Sequence, residues 1–155
     1  MLQMPYHAGF IVADIHEGIR DLEERLGYRF NDPTLVRAED MEDRVSGSRG
    51  PMDLRIAYTR DSPFRLEVIE STGAGIYGEE FLGLHHLGIW EPDPTARLRA
   101  LEEAGDPIDA VFREDDGSVS IIYARSASML GGRIEYVGDA RRASLERWFD
   151  RGSFD

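Results

Sequence analysis

The chain contains no cysteine. Disulfides, thiolate metal sites and cysteine nucleophiles are therefore excluded. It also lacks an apolar run of about eighteen residues, the length a membrane-crossing helix needs. No basic region followed by an apolar stretch opens it, so a secretory signal is not expected. A reducing cytoplasm is the expected location. Basic side chains are scarce: 18 against 30 acidic ones give a net charge of −12. A phosphate backbone or an anionic bilayer calls for a basic footprint, so neither nucleic acid nor membrane is an expected partner. The acidic clusters Asp40, Glu42, Asp43 and Glu114, Asp115, Asp116 read as solvated loops.

What is present suits a packed fold. The 155 residues are 41% hydrophobic and 10% aromatic, enough for one domain spanning residues 1–155, or two small halves sharing a core. The dominant feature is an internal repeat. His7-Ala8-Gly9-Phe10-Ile11-Val12-Ala13-Asp14 is matched by His86-Leu87-Gly88-Ile89-Trp90-Glu91-Pro92-Asp93. Each aspartate lies seven residues after its histidine, and Leu22 and Leu101 each lie eight residues after the aspartate. Each copy is answered by a glutamate, in Leu66-Glu67-Val68-Ile69 and Ile134-Glu135-Tyr136-Val137. A chain built twice from one unit can bring two imidazoles and two carboxylates together at its pseudo-twofold axis.

Periodicity outlines each unit. The first (about 5–70) opens with a strand over 6–12 placing His7, Gly9 and Ile11 on one face. A helix carrying Ile15, Ile19, Leu22 and Leu26 follows and stops at Gly27. Tyr28-Arg29-Phe30 reads as an edge, residues 32–51 as a polar, glycine-rich loop, and 53–58 and 64–69 as a hairpin. A linker covers 71–84. The second unit (about 85–138) has a strand at 86–90, a helix capped by Asp93-Pro94, and strands near 110–113, 118–124 and 133–137. Residues 140–149 form a C-terminal helix with Leu145, Trp148 and Phe149 as its apolar face. The fold class is α+β: two tandem βαβββ modules forming a curved, barrel-like mixed sheet around a cavity.

A lone histidine on a strand is usually structural, but two at equivalent repeat positions, each answered by glutamate, favour metal. His16 and His85 read as bystanders, His85 because strand alternation turns it away from His86. Glu70 competes with Glu67, but alternation and the match to Glu135 favour Glu67. Gly73-Ala74-Gly75 lacks the strand-to-helix context of a phosphate-cradling loop. Among aromatics, Phe10, Tyr58, Trp90, Tyr123 and Tyr136 lie on or near strands as core or cavity lining. Arg55, Arg65 and Arg133 are strand cations that could meet a substrate carboxylate.

The chain resembles the vicinal oxygen chelate superfamily, which contains glyoxalase I, methylmalonyl-CoA epimerase, extradiol dioxygenases and small drug-sequestering proteins. The resemblance covers residues 6–138 and is carried by His7-Ala8-Gly9-Phe10, Leu66-Glu67-Val68-Ile69, Leu84-His85-His86-Leu87-Gly88 and Gly132-Arg133-Ile134-Glu135. It implies one divalent ion held by His7, Glu67, His86 and Glu135, with Glu67 or Glu135 also moving a proton. Imidazole and carboxylate ligands suit Zn, Ni, Co, Mn or Fe. The implied activity is a lyase, isomerase or epimerase acting on a small carbonyl substrate through an enolate. Epimerase relatives commonly carry a glutamate just before the strand at 53–58, where this chain has only Asp53. That points away from two-base epimerisation and toward a single-carboxylate shuttle. Small-molecule sequestration and Fe(II)-dependent dioxygenation are the alternatives, and a homodimer is the expected assembly.

Overall fold

The two copies of the repeat fold alike and close on one another. In the computed structural model, which describes residues 3–152, the first copy comprises β1 (His7–Val12), α1 (Ile15–Leu26), β2 (Thr34–Asp43), β3 (Ser48–Tyr58) and β4 (Arg65–Glu70). The second comprises β5 (Gly83–Glu91), α2 (Pro94–Ala104), β6 (Ile108–Arg113), β7 (Val119–Arg125) and β8 (Arg133–Gly138), and α3 (Arg142–Arg151) follows. The strands make a closed barrel in the order β1-β4-β3-β2-β6-β7-β8-β5. The pairs β1–β4 and β5–β8 are parallel and the others antiparallel. The order of one half therefore repeats in the other, and the pseudo-twofold axis passes between β1 and β5.

The repeated aspartates are helix caps. Asp14 Oδ1 accepts from Glu17 N and Asp93 Oδ1 from Ala96 N, each at 2.9 Å, satisfying amides that the first turn leaves free. Gly27 and Gly105 end α1 and α2 in the left-handed region, where glycine avoids the Cβ penalty. Strand alternation then sorts the side chains. Leu66 and Val68 turn outward under Ile15, Ile19 and Leu22 of α1. Val111 and Ile122 do the same under Leu98 and Leu101 of α2. The inward set, including Ile11, Leu54, Ile56, Ile69 and Phe112, packs with Trp148 and Phe149 of α3. Asn31 Nδ2 donates to the carbonyls of both Trp148 and Phe149 at 3.1 Å, which pins this helix onto the barrel.

The stretch read as a polar loop over 32–51 is mostly sheet, and Tyr28-Arg29-Phe30 contributes only a bridge between Phe30 and Thr59. β2 hides its signal because its outer face is charged and ion-paired: Arg37 meets Glu39 and Asp53, and Arg49 meets Asp40. Such pairs, within β2 and across to β3, satisfy a half-solvated strand without an apolar pattern. Gly50-Pro51, at the end of that stretch, sits at a bulge between Ala38 and Met41 of the partner strand, where a residue without an N–H is tolerated. Asp43 is not a solvated loop residue either. It is 2% exposed and accepts from the amides of Val45, Ser46 and Ile76. The last bond draws the linker inward, so that Ile76 and Tyr77 are buried.

Candidate metal centre

Register brings the repeated residues together. On the β1–β5 pair His7 faces Gly88 and Gly9 faces His86. On the flanking parallel pairs Gly9 lies beside Glu67 and Gly88 beside Glu135. Two rows result, Glu67–Gly9–His86 and Glu135–Gly88–His7. Strands stand about 4.8 Å apart, so the outer members of each row meet only because the middle residue has no side chain. A Cβ on Gly88 would lie 1.9 Å from His7 Cε1, and one on Gly9 would lie 1.9 Å from His86 Cε1. The His-X-Gly sequence of each copy is thus a reciprocal arrangement in which each imidazole rests on the other copy's glycine.

All four side chains are buried: His7 0%, His86 1%, Glu67 3% and Glu135 4% exposed. The two Nε2 atoms are 3.0 Å apart. His86 Nε2 is 3.0 Å from Glu67 Oε2 and 3.5 Å from Glu135 Oε2; His7 Nε2 is 3.1 Å from Glu135 Oε2 and 3.4 Å from Glu67 Oε2. Donors about 2.1 Å from one ion stand about 3.0 Å apart at right angles and about 3.4 Å apart in a tetrahedron. The observed spacings match that range. Two buried carboxylates also demand positive charge, since an unpaired buried anion is costly. Glu135 Oε2 has the two imidazole Nε2 atoms as its polar neighbours and accepts no aligned hydrogen bond, which fits an oxygen reserved for a cation. These residues could hold a divalent metal ion.

Protons take up that role in the metal-free protein. Burial opposes charging of His7, but its bonds to Glu135 and Glu67 outweigh it and raise its pKa from 6.5 to about 9. Burial likewise opposes ionisation of Glu67, yet the hydrogen bonds from His7 and His86 hold it well below the usual carboxylate range.

Sequence reasoning named Tyr58 and Tyr123 as core or cavity lining without their partners, and missed Tyr6 and Tyr77. Tyr58 sits opposite Glu67, and Tyr123 opposite Glu135, across their hairpins. Tyr58 OH donates to Glu67 Oε1 at 2.5 Å, whereas Tyr123 accepts from Tyr77 OH at 2.9 Å. Burial first, and then the nearby carboxylates, raise the pKa of Tyr6, Tyr77 and Tyr123, so these hydroxyls stay protonated. The hairpin pairing of a tyrosine with each glutamate was the available signal. His85 stands outside the ligand quartet but is not turned away from His86: it is 2% exposed and its Nδ1 lies 3.0 Å from His86 Nδ1. A bulge at this point of β5 breaks the alternation that would have turned it away. Burial, with His86 and Arg133 adding, lowers its pKa to about 3. His16 is exposed on α1. Glu70 faces outward, accepting from Ile15 N at 3.0 Å.

Glu67 and Glu135 line a cavity of about 140 Å³. Its walls are Val36, Ala38, Leu54, Ile56, Ile69, Phe112, Ile121, Val137 and Leu145, with the rings of Tyr6, Tyr58, Tyr77, Tyr123 and Trp148. Of the aromatics singled out from sequence, Tyr58 and Tyr123 face this space. Phe10 packs beneath α1, Tyr136 beside α2, and Trp90 stacks on Tyr6. The three strand arginines are engaged elsewhere: Arg133 with Asp109, Arg65 with Thr59 and Asp150, Arg55 with Glu70. The arginines that line the cavity are Arg37 and Arg141. Asp53 is exposed and paired with Arg37, so Glu67 and Glu135 are the two carboxylates lining this cavity among the described residues.

The fold recurs in solved structures. A Streptomyces coelicolor methylmalonyl-CoA epimerase variant in complex with 2-nitronate-propionyl-CoA is 18% identical, with a TM-score of 0.58 over 90% of this chain and 99% of that one. The Mycobacterium tuberculosis methylmalonyl-CoA epimerase is 19% identical, with a TM-score of 0.54 over 94% and 97%. A hypothetical protein from Bacillus halodurans is 16% identical, with a TM-score of 0.56 over 90% and 96%. At such identities the likeness concerns the fold. No functionally curated protein matches the chain. Residues 6–123 match the family model described as Glyoxalase/Bleomycin resistance protein/Dioxygenase superfamily, and the chain belongs to that superfamily.

Proposed function

We propose that the protein is a divalent-metal-dependent isomerase, epimerase or lyase that moves a proton at the carbon beside a carbonyl in a small substrate. The observation carrying this reading is the buried His7, Glu67, His86, Glu135 quartet, whose ligand atoms lie within 4.8 Å of one another and whose carboxylates line an apolar cavity. Those four residues would hold the ion, which supplies stabilisation for negative charge growing on a substrate oxygen. Glu67 is tied by Tyr58 OH and His86. Glu135 meets His7 Nε2 at 3.1 Å but has no tyrosine hydroxyl on it as Glu67 does, so Glu135 is the carboxylate that collects and returns the proton. Leu54, Ile56 and Phe112 hold the substrate body and, with α3, exclude water that would quench a carbanion. An engineered cavity of about 150 Å³ takes a benzene-sized molecule, so the reacting portion is compact. Methylmalonyl-CoA epimerases of this fold are seen in complex with 2-nitronate-propionyl-CoA and methylmalonyl-CoA; an acyl-CoA is therefore one substrate worth testing here, its acyl part inside.

Where epimerase relatives carry a second acid, this chain offers only Asp53, paired outward with Arg37. That supports one carboxylate acting on one face or shuttling between two carbons. The test is solvent exchange. Metal-loaded protein in D₂O should place deuterium at the carbon next to the carbonyl of a small keto, hydroxy-keto or acyl-CoA compound. Glu135→Gln should slow this by about 10²–10⁴-fold, the usual contribution of a positioned acid–base. Exchange that persists undiminished in Glu135→Gln would reject the assignment.

The aromatic lining (Tyr6, Tyr58, Tyr77, Tyr123, Trp148) favours a second reading, sequestration of a flat apolar molecule. A ligand recovered unchanged, with affinity insensitive to EDTA, would select it.

A further inference from the structure

We infer that His85 is a positioning residue that fixes the protonation pattern of His86 and so aims the His86 Nε2 lone pair at the candidate metal centre. The inference deepens the metal-dependent reading, although its first test does not need the ion.

The argument starts from an atom with no choice. The Ile76 carbonyl can only accept, and His85 Nε2 lies 2.9 Å from it. His85 Nε2 therefore carries the hydrogen. The ring is buried against the edges of Phe81, His86 and Tyr123, which disfavours a charged form. A neutral ring protonated at Nε2 has a lone pair at Nδ1. His86 Nδ1 stands 3.0 Å from that lone pair and must donate to it. With Nδ1 donating to His85, the hydrogen on Nε2 that meets Glu67 at 3.0 Å in the metal-free protein is the one an ion would replace, and the Nε2 lone pair then faces Glu67 and Glu135. Ligating histidines commonly rely on such a partner for tautomer and orientation.

The relay is built into the backbone. The β5 bulge places His85 and His86 both inside, and Ile76 is fixed by its own amide bond to Asp43 Oδ2 at 3.0 Å. The other copy lacks it. Tyr6 precedes His7 as His85 precedes His86, and His7 Nδ1 has no hydrogen-bond partner. The two imidazoles are equivalent by repeat and unequal in support: His86 is the fixed ligand and His7 the adaptable one.

Long-range ¹H–¹⁵N correlation on the ring nitrogens of metal-free protein tests this directly. His85 should show a protonated Nε2 and a lone pair at Nδ1, with His86 Nδ1 protonated. His85→Phe, which keeps a ring but no nitrogen, should weaken zinc binding by about 10–100-fold. His85→Gln, able to donate to Ile76 and accept from His86, should recover most of that loss. A protonated His85 Nδ1 in the wild type would overturn the inference. So would a folded His85→Phe, or should that variant not fold a His85→Gln, with results opposite to these. A wild type that takes up no zinc would end the metal reading, while the ring-nitrogen pattern would still decide the relay.

Discussion

Gly88→Ala is the smallest change that should disable the centre. Its new Cβ would lie 1.9 Å from His7 Cε1, 2.3 Å from Nδ1 and 2.6 Å from Nε2. Ordinary contact begins near 3.4 Å, so the ring must retreat by about 1.5 Å, the difference of 3.4 and 1.9. It has little room, being fully buried with Tyr6 edge-on at 4.5 Å and Tyr58 at 5.7 Å. Metal–ligand distances tolerate only about 0.2 Å, so a shift of that size removes a ligand. Losing a partner behind a ligand costs about 10–100-fold in affinity; displacing the ligand itself should cost at least the upper figure. Overpacking adds a fold destabilisation of about 1–3 kcal/mol. Gly88 is not among the glycines with positive φ, so alanine meets the ring and no backbone penalty. Gly9→Ala should reproduce the effect through His86. Calorimetric zinc titration and thermal melts of the chelated protein measure the two terms. A Gly88→Ala protein that binds zinc as tightly as wild type would refute the reciprocal packing of imidazole on glycine.

Three further outcomes follow from the same geometry. The raised pKa of His7, from 6.5 to about 9, gives stability that is whole below 6.5 and lost as pH climbs through 9. The depressed pKa of Glu67 gives stability present above 4.5 and lost as pH falls below it. Metal-free melts should therefore be most stable between pH 4.5 and 6.5 as far as these two groups decide, and zinc affinity should rise from pH 6.5 toward 9 as His7 sheds its proton. Tyr58→Phe removes the hydroxyl that serves Glu67 Oε1 and should cost about 1.5–3 kcal/mol in chemical denaturation, the range for a hydrogen bond to a charged group; a neutral result would show that the bond does not form. Asp93→Ala should cost about 1 kcal/mol by loss of its cap on α2, and Asp14→Ala a similar amount, if the repeated aspartates act as their bonds to Ala96 and Glu17 indicate.

Much of this was legible before any coordinates, because duplication announces itself. Spacing paired His7 with His86 and Asp14 with Asp93, the similar segments around Glu67 and Glu135 paired the glutamates across unequal gaps, and alternation with that match chose Glu67 over Glu70. The reciprocal glycines were also in view, two residues after each histidine, yet their purpose depends on register across three strands. β2 escaped notice because Arg37, Glu39 and Asp40 are satisfied by ion pairs on neighbouring residues, so its face carries no apolar rhythm. His85 was misread because a bulge broke the alternation rule at that residue. Arg133 looked available for a substrate until Asp109, twenty-four residues away, took it at 2.7 Å. Local periodicity cannot report partners that only tertiary closure supplies.

The central claim is that two imidazoles and two carboxylates from opposite halves of the chain share one cation. Anomalous scattering from crystals grown with zinc or manganese, recorded at the edge of that metal, tests it most directly. One peak within about 2.0–2.2 Å of His7 Nε2, His86 Nε2 and a carboxylate oxygen from each of Glu67 and Glu135 is the expected result. No density at that point, or metal bound only at surface carboxylates, would contradict it.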